Sequence, residues 1–579
     1  MQNVKCEMKK FRWLLPQSAG DGTAARLAAA LGASPLLAQC LVNRGVDGPD
    51  AAARFLRPRL KDLSDPLLLP NMAAAVQRLL SAREQREALV IFGDYDVDGV
   101  TATALLLETL RALGWNVNYY LPRRMDEGYG LSREGAGNCL QKHPASLLLA
   151  VDCGSTARDT IAWLGEKGTE TIVLDHHQVS APPPPAVALV NPRLAGADGG
   201  AEFCSAGLAF KLAHALVGEL RRRGEPAAVK YDLRAHLDLA ALGTIADLVP
   251  LTGENRLLAR AGLERLTTRP RPGLAALKTV AQCPSPVGSY EVGFQLAPRL
   301  NAAGRLEDAE EALCLLLAGG LAEAEPLARS LDARNRQRQQ IERDMAEEVI
   351  KAVAARFDEE KDFVIVEGHG SWHIGVVGIV AARVVRRFYR PAIILGGDGA
   401  VWRGSGRSIE GFDLAAALRH CDGLLLAHGG HGMAAGVTVQ PGQVDRFRAR
   451  LNELARQALQ PEQLEPCLKL DGEVAATHMT LELMEQLAAL APTGQGNPPV
   501  QWVMRGLSLR EPPVRMGREN QHVKWRVTDG RANLEAVWWN GGAAPMPEGR
   551  FDLAFTPSLN QYQGWRSVQL RVLDWREAG

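Results

Sequence analysis

The sequence has no excess of charge of either sign. Lys and Arg together number 66, and Asp and Glu together also number 66, so the formal net charge is zero. A protein that binds nucleic acid through its overall charge is strongly basic, and this chain is not. Any site for a polyanion must therefore be local.

Cysteine is scarce, and its spacing forms no recognisable pattern. The 579 residues contain nine cysteines, an odd number, and no two of them form a C-x-x-C pair. This spacing argues against a zinc module and against a disulfide framework. It is typical of a protein from a reducing compartment.

Long apolar runs are also missing. No stretch reaches the length of a transmembrane helix, and the first fifteen residues have no apolar core of the kind found in a signal peptide. We therefore expect a cytoplasmic protein that makes no contact with a membrane. With 46% hydrophobic residues, the chain can form several cores. The usual size of a domain predicts roughly three or four.

What the sequence does contain is a dense group of carboxylates. Asp94, Asp96 and Asp98 follow an apolar run typical of a buried strand, 88–92, and precede a run typical of a helix, 100–110. Carboxylates this close repel one another unless a cation binds among them. The turn between strand and helix is therefore a candidate cation site.

Two other interpretations apply to this turn. An Asp-rich turn that ends in Gly is also a common cap for the helix that follows, and the sequence alone leaves that interpretation open. An EF-hand calcium loop does not fit, because its twelfth position would be Leu105 and the element in front is a strand.

Polar side chains also follow other apolar runs of the same region. Ligands in α/β sheets bind at the carboxyl ends of strands, so we expect these groups to converge. Adjacent histidines are more often surface or core groups, and a single Asp at a helix end is unremarkable. The prediction of a shared site therefore depends on whether these side chains lie close together. The groups are Asp152 after 146–151, Asp175, His176 and His177 after 171–174, and Asp247 after 239–246.

Together these side chains form an oxygen-rich set with imidazole. We predict two divalent cations, Mn²⁺ or Mg²⁺, because a zinc site would use more Cys and His. A pair of such cations activates water and stabilises an in-line displacement at phosphorus, so phosphoester hydrolysis is the predicted chemistry. The predicted metal ligands are Asp94, Asp96, Asp98, Asp152, His176 and Asp247.

The order of the motifs resembles a known family. Residues 93–99, 151–154, 175–177 and 243–247 are similar to the four motifs of the DHH phosphoesterases. The wider superfamily often has a His where Phe92 stands, so the resemblance assigns that ligand position to Asp94, and the division of ligands between the two cations stays open. Further stretches resemble the RecJ family, the bacterial single-strand-specific 5′→3′ DNA exonucleases: 120–124, 127–131, 298–305, 372–378, 404–408 and 429–436.

The resemblance implies an enzyme that releases 5′-mononucleotides from single-stranded DNA. It implies that Asp175, His176 and His177 are catalytic, with Asp175 orienting a histidine and His177 acting near the scissile phosphate. The turn 404–408 also has the donors of a phosphate site, although a plain loop explains its glycines equally well. The residues that the resemblance assigns to DNA and its 5′ phosphate are Arg124, Arg299, Asn301, Arg305, Ser405, Arg407 and His431.

The resemblance also implies a biological setting. It predicts a monomer that acts in DNA recombination and repair, including recombinational, mismatch and base excision repair, with single-strand-binding protein and a RecQ-type helicase as partners. Two alternatives stay open: a DHH phosphodiesterase for oligonucleotides or cyclic dinucleotides, and an inactive DHH scaffold that binds DNA. The complete carboxylate set argues against the scaffold.

The predicted architecture is α/β, with two lobes of DHH and DHHA1 type joined by a long helix, and a C-terminal all-β OB-fold. After residue 465, short strand-like runs carry six of the eleven Trp, which form either a core or a surface for stacking bases. Because every candidate ligand precedes residue 250, we expect the C-terminal domain to be a separate DNA-binding module. The predicted domains are an N-terminal helical extension, 1–65; the DHH domain, 66–310; connecting helices, 311–360; the DHHA1 domain, 361–464; and the OB-fold, 465–579.

Overall fold

The computed structural model describes residues 11–16, 22–123, 127–128, 130–194, 202–306, 308–397 and 399–578. Within these residues, no helix combines the length and the apolar character needed to span a membrane. Arg124, which the sequence assigns to the 5′ phosphate, lies outside them.

The N-terminal segment is mostly helical, as predicted. Its elements are β1 (Arg12–Leu14), α1 (Thr23–Leu31), α2 (Pro35–Val42) and α3 (Pro49–Leu56).

The first α/β unit has a parallel sheet covered by helices. Its elements are α4 (Met72–Glu84), β2 (Leu89–Phe92), α5 (Val97–Ala112), β3 (Val117–Tyr120), α6 (Arg133–Lys142), β4 (Leu147–Val151), α7 (Arg158–Glu166), β5 (Glu170–Leu174), β6 (Ala188–Val190), α8 (Ser205–Arg222), α9 (Pro226–Lys230), α10 (Leu237–Ala246) and α11 (Gly253–Thr268).

The sheet has the strand order β3-β2-β4-β5-β6, and every neighbouring pair is parallel. The apolar runs predicted as strands form β2, β4 and β5, which confirms those predictions. Such runs are buried on both faces because helices cover both sides of a parallel sheet. The sequence did not predict β3, since this edge strand is short and contains Asn118 and two tyrosines.

A helical region joins the first unit to the second. Its elements are α12 (Pro272–Val280), α13 (Ser289–Glu291), a π-helical turn (Val292–Leu296), α14 (Ala297–Leu306), α15 (Glu310–Leu317) and α16 (Leu321–Ala354).

The predicted long connecting helix is α16. Leu331 lies in the core of the first unit, whereas Val349 lies in the core of the second. One arginine of its charged face, Arg338, is buried and donates to Glu342, which also accepts a hydrogen bond from Arg383. The helix therefore links both units through apolar and ionic contacts.

The second unit has a mixed sheet in the order β10-β11-β9-β8-β7. The pair β7 and β8 is parallel, and the other neighbouring pairs are antiparallel. Its elements are β7 (Ile365–His369), α17 (Val377–Phe388), β8 (Ala392–Gly396), β9 (Trp402–Arg407), α18 (Leu414–Arg419), β10 (Ala427–His431), β11 (Ala434–Val439) and α19 (Val444–Ala458).

The C-terminal domain is a β-barrel, in agreement with the predicted OB-fold. Its elements are β12 (Cys467–Lys469), β13 (Gly472–Glu473), α20 (Leu481–Ala488), β14 (Trp502–Leu509), β15 (Val514–Met516), β16 (His522–Thr528), β17 (Asn533–Trp538), β18 (Arg550–Tyr562) and β19 (Trp565–Glu577). The sheet closes because β14 pairs with both β16 and β18. Trp502, Trp525 and Trp538 lie in its core, whereas Trp539 and Trp565 are exposed.

The N-terminal helices share a hydrophobic core with this barrel. Leu27, Leu37 and Leu41 belong to the same buried cluster as Trp502 and Trp525. In addition, β1 pairs in parallel with β12. The N-terminal segment is thus part of the C-terminal structural unit, although the two are far apart in sequence.

Arg256 of α11 joins three parts of the chain. Its guanidinium, which is buried, donates to the Phe55 carbonyl of the N-terminal segment and to the carbonyls of Ala489, Leu490, Ala491 and Pro492 in the C-terminal domain. Burial lowers the pKa of Arg256 to about 10.

The segment after α20 also packs against the residues that follow Asp247. The Leu251 N–H donates to the Gln495 carbonyl at 2.7 Å. A Cβ on Gly496 would lie 3.0 Å from the Cβ of Pro250. The C-terminal domain therefore packs against the chain three residues beyond a predicted metal ligand, and its role as a separate DNA-binding module stays a prediction.

We expect Arg256→Met to destabilise the protein strongly. Several buried carbonyls would lose their donor, at about 1–3 kcal/mol for each group left unpaired. For a unit of this size, a loss of about 3 kcal/mol lowers the unfolding midpoint by roughly 6–12 °C. Differential scanning calorimetry measures this shift.

The exposed Arg269 at the end of the same helix provides the matched control. Arg269→Met should leave the midpoint unchanged within about 1 °C. An Arg256→Met protein as stable as this control would show that the junction contributes nothing.

Candidate metal centre and active site

The Asp94–Asp98 turn lies at the carboxyl edge of the parallel sheet. Asp96 is the N-cap of α5, and its Oδ1 accepts hydrogen bonds from the Asp98 and Gly99 N–H groups at 2.9 and 3.1 Å. The helix-cap interpretation is therefore correct for Asp96, and it does not compete with metal binding, because the second carboxylate oxygen is not needed for the cap.

Asp152 follows β4 directly and is buried. Its backbone is left-handed, with φ 65°, which few residues other than Gly adopt without strain. The Ser205 hydroxyl donates to Asp152 Oδ1 at 2.9 Å. These contacts hold the carboxylate over the sheet edge.

Asp98 is buried against the start of α8. The N–H groups of Ser205 and Ala206 donate to its carboxylate oxygens at 2.6 and 2.8 Å. The positive end of a helix dipole stabilises such a charge. The sequence analysis missed Ser205, although a serine immediately before the apolar helical run 206–217 is a recognisable helix-start signal.

His176 lies among the carboxylates. Its Nε2 is 3.5 Å from Asp152 Oδ1, 3.5 Å from Asp247 Oδ2 and 3.9 Å from Asp98 Oδ2. This nitrogen is buried and has no hydrogen-bond partner among the described residues. A buried imidazole nitrogen that faces several carboxylates fits a shared cation.

All six predicted ligands converge. Within each of two groups, one oxygen or nitrogen atom per residue lies within 4.8 Å of the others. The donor set of carboxylates with one imidazole fits Mn²⁺ or Mg²⁺. One group is Asp94, Asp96 and Asp152, and the other is Asp98, His176 and Asp247; a third group of the same kind is Asp152, His176 and His177.

The electrostatics of the centre favour a cation. Burial raises the pKa of Asp152, and the neighbouring carboxylates, Asp98 first, raise it further. Burial and the Asp98 carboxylate likewise raise the pKa of Asp247. Buried carboxylates that repel one another destabilise the metal-free protein, and a divalent cation removes that repulsion.

Asp175 organises the two histidines that follow it. Its Oδ1 lies 2.7 Å from His177 Nδ1 and accepts hydrogen bonds from the N–H groups of His176 and His177. Burial lowers the pKa of His177, but the hydrogen bond and charge of Asp175 outweigh it and raise that pKa to about 9. Asp175 therefore favours the protonated form of His177, whose Nδ1–H donates to Asp175.

His431 reaches this site from the second unit. It is the last residue of β10, and its ring stacks on His177 with centroids 5.9 Å apart and an interplanar angle of 11°. Burial and the neighbouring His177 charge lower the pKa of His431. The two units thus meet at the metal centre.

Asn191 and Arg193, which follow β6, support the loop that carries His176 and His177. The sequence analysis did not single them out. The buried Asn191 donates to the His177 carbonyl and to the Ser155 hydroxyl, each at 2.9 Å. Arg193 donates to the His176 carbonyl at 2.7 Å. The sequence carries no signal for these contacts beyond their position after an apolar run.

The predicted DNA-binding residues of α14 make contacts within the protein. Arg299 pairs with Asp332 at 2.9 Å, and Arg305 donates to the Gly375 carbonyl at 3.2 Å. Asn301 Oδ1 accepts a hydrogen bond from the Val97 N–H at 3.0 Å. In this structure α14 supports the turn that carries Asp94, Asp96 and Asp98.

Ser405 and Arg407 face the first turn of α17. The Arg407 guanidinium donates to the Ser405 hydroxyl at 2.9 Å. A Cβ on Gly378, the second residue of α17, would lie 3.0 Å from Ser405 Oγ and 3.2 Å from Arg407 Nη2. A hydroxyl and a guanidinium therefore pack closely against the start of α17, and both are donor types that bind phosphate oxygens.

We expect Asp152→Asn to stabilise the metal-free protein while reducing its stabilisation by Mn²⁺. The amide keeps an acceptor for the Ser205 hydroxyl. It removes one negative charge, and the repulsion between two such charges at this spacing is roughly 1–4 kcal/mol. In the wild type, Mn²⁺ at 100 times its Kd adds about 2.7 kcal/mol to the free energy of unfolding. Thermal unfolding with and without Mn²⁺ measures both effects.

The exposed Asp159 provides the control, because Asp159→Asn removes the same charge from the surface. It should change neither the metal-free midpoint nor the Mn²⁺ response. The metal assignment fails if Asp152→Asn retains the full Mn²⁺ response.

Comparison with family models divides the chain into three regions. Residues 88–244 match the DHH family N-terminal domain, residues 360–457 match the DHHA1 domain, and residues 470–574 match the RecJ OB domain.

Full-length comparisons agree with these matches. The chain is 38% identical to the single-stranded-DNA-specific exonuclease RecJ of Bacillus subtilis over 98% of this chain and 71% of that protein. The crystal structure of Thermus thermophilus RecJ with Mn²⁺ superposes with a TM-score of 0.84 at 30% identity, covering 98% of this chain and 80% of that one. The same protein with Mg²⁺ gives a TM-score of 0.78 at 29% identity, with 98% and 79% covered.

The order of the three regions, the full-length identity and the superposition all lead to one assignment. This chain belongs to the RecJ family of single-stranded-DNA-specific exonucleases.

Proposed function

We propose that this protein is a metal-dependent exonuclease that degrades single-stranded DNA in the 5′→3′ direction and releases 5′-mononucleotides. The observation that carries the proposal is the convergence of the six predicted metal ligands at the edge of the parallel sheet. An exonuclease also needs groups that bind the chain end, and we assign that role to Ser405 and Arg407 of the second unit.

The centre would hold two divalent cations, Mn²⁺ or Mg²⁺. The group of Asp94, Asp96 and Asp152 would hold one, and the group with Asp98 and Asp247 the other, with His176 completing the second group. The cations supply an activated water and stabilise the charge that develops at phosphorus. The α8 N-terminus and Ser205 keep the buried carboxylates in place for this role.

His177 acts on the DNA rather than on the cations. Asp175 holds it protonated at neutral pH, so the imidazolium stabilises the charge of the scissile phosphate and gives its proton to the leaving oxygen. Asp175 is a positioning residue in this scheme. His431 stacks on His177 and limits the orientation of its ring.

The pocket at α17 selects the 5′ end. A terminal phosphate carries more negative charge than an internal diester, and a forked guanidinium beside helix N–H groups favours the extra charge. Ser405 and Arg407 form this pocket. Arg124, which the family resemblance also assigns to the 5′ phosphate, lies outside the described residues. The 5′→3′ direction follows, because the free 5′ end is held while the adjacent diester is cut.

The C-terminal barrel binds the strand that leads to the centre. Trp565 is 82% exposed, and Tyr562 and Trp539 are also exposed, so aromatic surface is available for stacking bases. Several basic side chains of the barrel are paired with acids of the same domain, so stacking is the main source of affinity here. These pairs are Arg505 with Glu473 and Asp552, Lys524 with Glu535, Arg526 with Glu511 and Arg566 with Glu485.

In the cell, the protein would act in DNA recombination and repair, including recombinational, mismatch and base excision repair. It would work in the cytoplasm as a monomer, on strands covered by single-strand-binding protein and opened by a RecQ-type helicase. Support for this setting comes from membership of the RecJ family.

A nuclease assay tests the proposal. Single-stranded and duplex DNA, labelled at either end, should show release of mononucleotides from the 5′ end of the single strand only, and only with Mn²⁺ or Mg²⁺. Asp152→Ala should reduce the rate by at least about 10³-fold, because it removes a metal ligand.

Each alternative has its own signature in this assay. Faster turnover of dinucleotides or cyclic dinucleotides than of long strands would favour the small-substrate phosphodiesterase. Tight binding of DNA without hydrolysis under any metal condition would favour the inactive scaffold. Either result contradicts the proposal.

We expect Arg407→Ala to impair 5′-phosphorylated substrates selectively. Loss of charge-assisted hydrogen bonds costs about 1.5–3 kcal/mol, which corresponds to a roughly 10- to 150-fold lower kcat/KM. DNA with a 5′-hydroxyl should be affected less than about threefold, since it lacks the terminal charge. Steady-state kinetics on both ends measure the ratio.

Arg419→Ala removes an exposed guanidinium at the end of α18 and is the matched control. It should leave both substrates unaffected. An equal loss on phosphorylated and 5′-hydroxyl ends for Arg407→Ala would place the end-binding pocket elsewhere.

A further inference from the structure

Arg193 lies beside the metal centre and has donor groups that the site described so far does not use. Its Nε donates to the His176 carbonyl at 2.7 Å. Within the part of the chain that the structure describes, the guanidinium donates no other hydrogen bond and pairs with no carboxylate. The side chain is exposed, so both Nη groups are available to a ligand.

The chain around Arg193 is held firmly against the loop that carries the two histidines. The fully buried Asn191 donates to the His177 carbonyl at 2.9 Å, and its Oδ1 accepts the Arg193 N–H at 2.8 Å. The segment 191–193 therefore binds the carbonyls of both His176 and His177. A long side chain that is fixed at its backbone and at its Nε loses little freedom when a ligand binds, and this favours affinity.

The charge of Arg193 acts on the second unit across this site. Burial, followed by the charges of His177 and Arg193, lowers the pKa of His431. The His431 ring in turn stacks on His177, with centroids 5.9 Å apart. Arg193, His177 and His431 therefore border the same space, on the histidine side of the metal centre.

An anion would be stable in this space. Asp175 compensates the charge of His177 through a 2.7 Å contact, whereas no described carboxylate pairs with Arg193. When cations balance the carboxylates of the metal centre, the positive side chains beside it lose that counter-charge. Positive groups that lie close together repel one another, and an anion removes the repulsion.

We propose that Arg193 binds a backbone phosphate of the DNA strand, at the cleaved linkage or the linkage next to it, through its two Nη groups. The inference rests on the proposed exonuclease function and adds a substrate-binding residue to it. A forked guanidinium matches the two free oxygens of a phosphodiester. A phosphate contact also reads no base, which suits an enzyme that degrades every sequence.

The contact would place the strand relative to a metal ligand. Arg193 holds the His176 backbone with its Nε and the phosphate with its Nη groups, so one rigid group fixes both. Correct placement of a reacting group contributes strongly to catalysis. This role differs from that of Arg407, which is assigned to the terminal phosphate, because an internal phosphate is present whether or not the 5′ end is phosphorylated.

Fluorescence anisotropy without divalent cations tests the contact independently of hydrolysis. Arg193→Gln should weaken binding of a single strand at least about tenfold, the effect of one lost hydrogen bond between charged groups. The loss should be the same for 5′-phosphorylated and 5′-hydroxyl strands. Arg86→Gln is the matched control, since it removes an exposed guanidinium before β2, at the opposite edge of the sheet, and should bind as the wild type does.

Single methylphosphonate linkages, which carry no charge, locate the phosphate. For the wild type, a methylphosphonate at the first or second linkage from the 5′ end should weaken binding at least about tenfold. At that linkage, Arg193→Gln should cause no further loss, because the charge that it recognises is already missing. At linkages farther along the strand, the two losses should add.

Two further measurements separate binding of DNA from mere support of the histidine loop. The slope of log Kd against log salt should fall by about 0.7 in Arg193→Gln, the value for one phosphate contact on a single strand. Thermal unfolding should show an unchanged stabilisation by Mn²⁺, because no metal ligand is lost. A supporting role alone would leave the salt slope unchanged and reduce the response to Mn²⁺.

Three results would overturn the assignment of Arg193. They are wild-type affinity of Arg193→Gln, additive losses at the first two linkages, and an unchanged salt slope. Failure of the exonuclease proposal is distinguishable, because it would appear as absence of hydrolysis by the wild type in Mn²⁺ while the binding results stand.

Discussion

Mutual repulsion among buried carboxylates is the constraint on which the rest of this structure depends. Asp98, Asp152 and Asp247 face one another around His176, where burial and neighbouring charge raise their pKa values. Hydrophobic packing does not bring such groups together. The fold must hold them in place until a cation balances them, and several otherwise unrelated features of the chain serve this purpose.

One of these features is close backbone packing. A Cβ on Gly99 would lie 2.6 Å from the Asp94 carbonyl, and a Cβ on Gly243 would lie 2.6 Å from Asp98 Oδ1. Only glycine permits these approaches. The second feature is the start of α8, whose N–H groups satisfy the Asp98 carboxylate. Together they allow α5, α8 and α10 to meet around the charged groups.

The other domains extend this support outwards. The helix α14 holds the Asp94–Asp98 turn through Asn301, and the C-terminal domain contacts Leu251, shortly after Asp247. Arg256 ties that domain to the first unit and to the N-terminal segment at once. The C-terminal domain and the chain that carries Asp247 are therefore packed directly against each other.

The sequence by itself determined the chemistry of the site. Strand-like runs that end in Asp or His mark the sheet edge, because the order of a parallel sheet brings the carboxyl ends of its strands together. From this rule alone, Asp152 and His176 could be placed beside the Asp94–Asp98 turn, whereas Asp247 reaches it from the end of helix α10. The long helix and the all-β C-terminal domain were equally predictable, since their periodicity and composition are local properties.

Only the tertiary structure decided which side chains support the site and which are available to DNA. The contacts of Ser205 with Asp98 and of Asn301 with Val97 join residues about 100 and 200 positions apart, and no local pattern records such pairs. The same holds for the N-terminal helices, which complete the core of the C-terminal domain. Local periodicity specifies the elements and their apolar faces, but it does not specify which distant element covers each face. That choice follows from shape and charge complementarity in the folded chain.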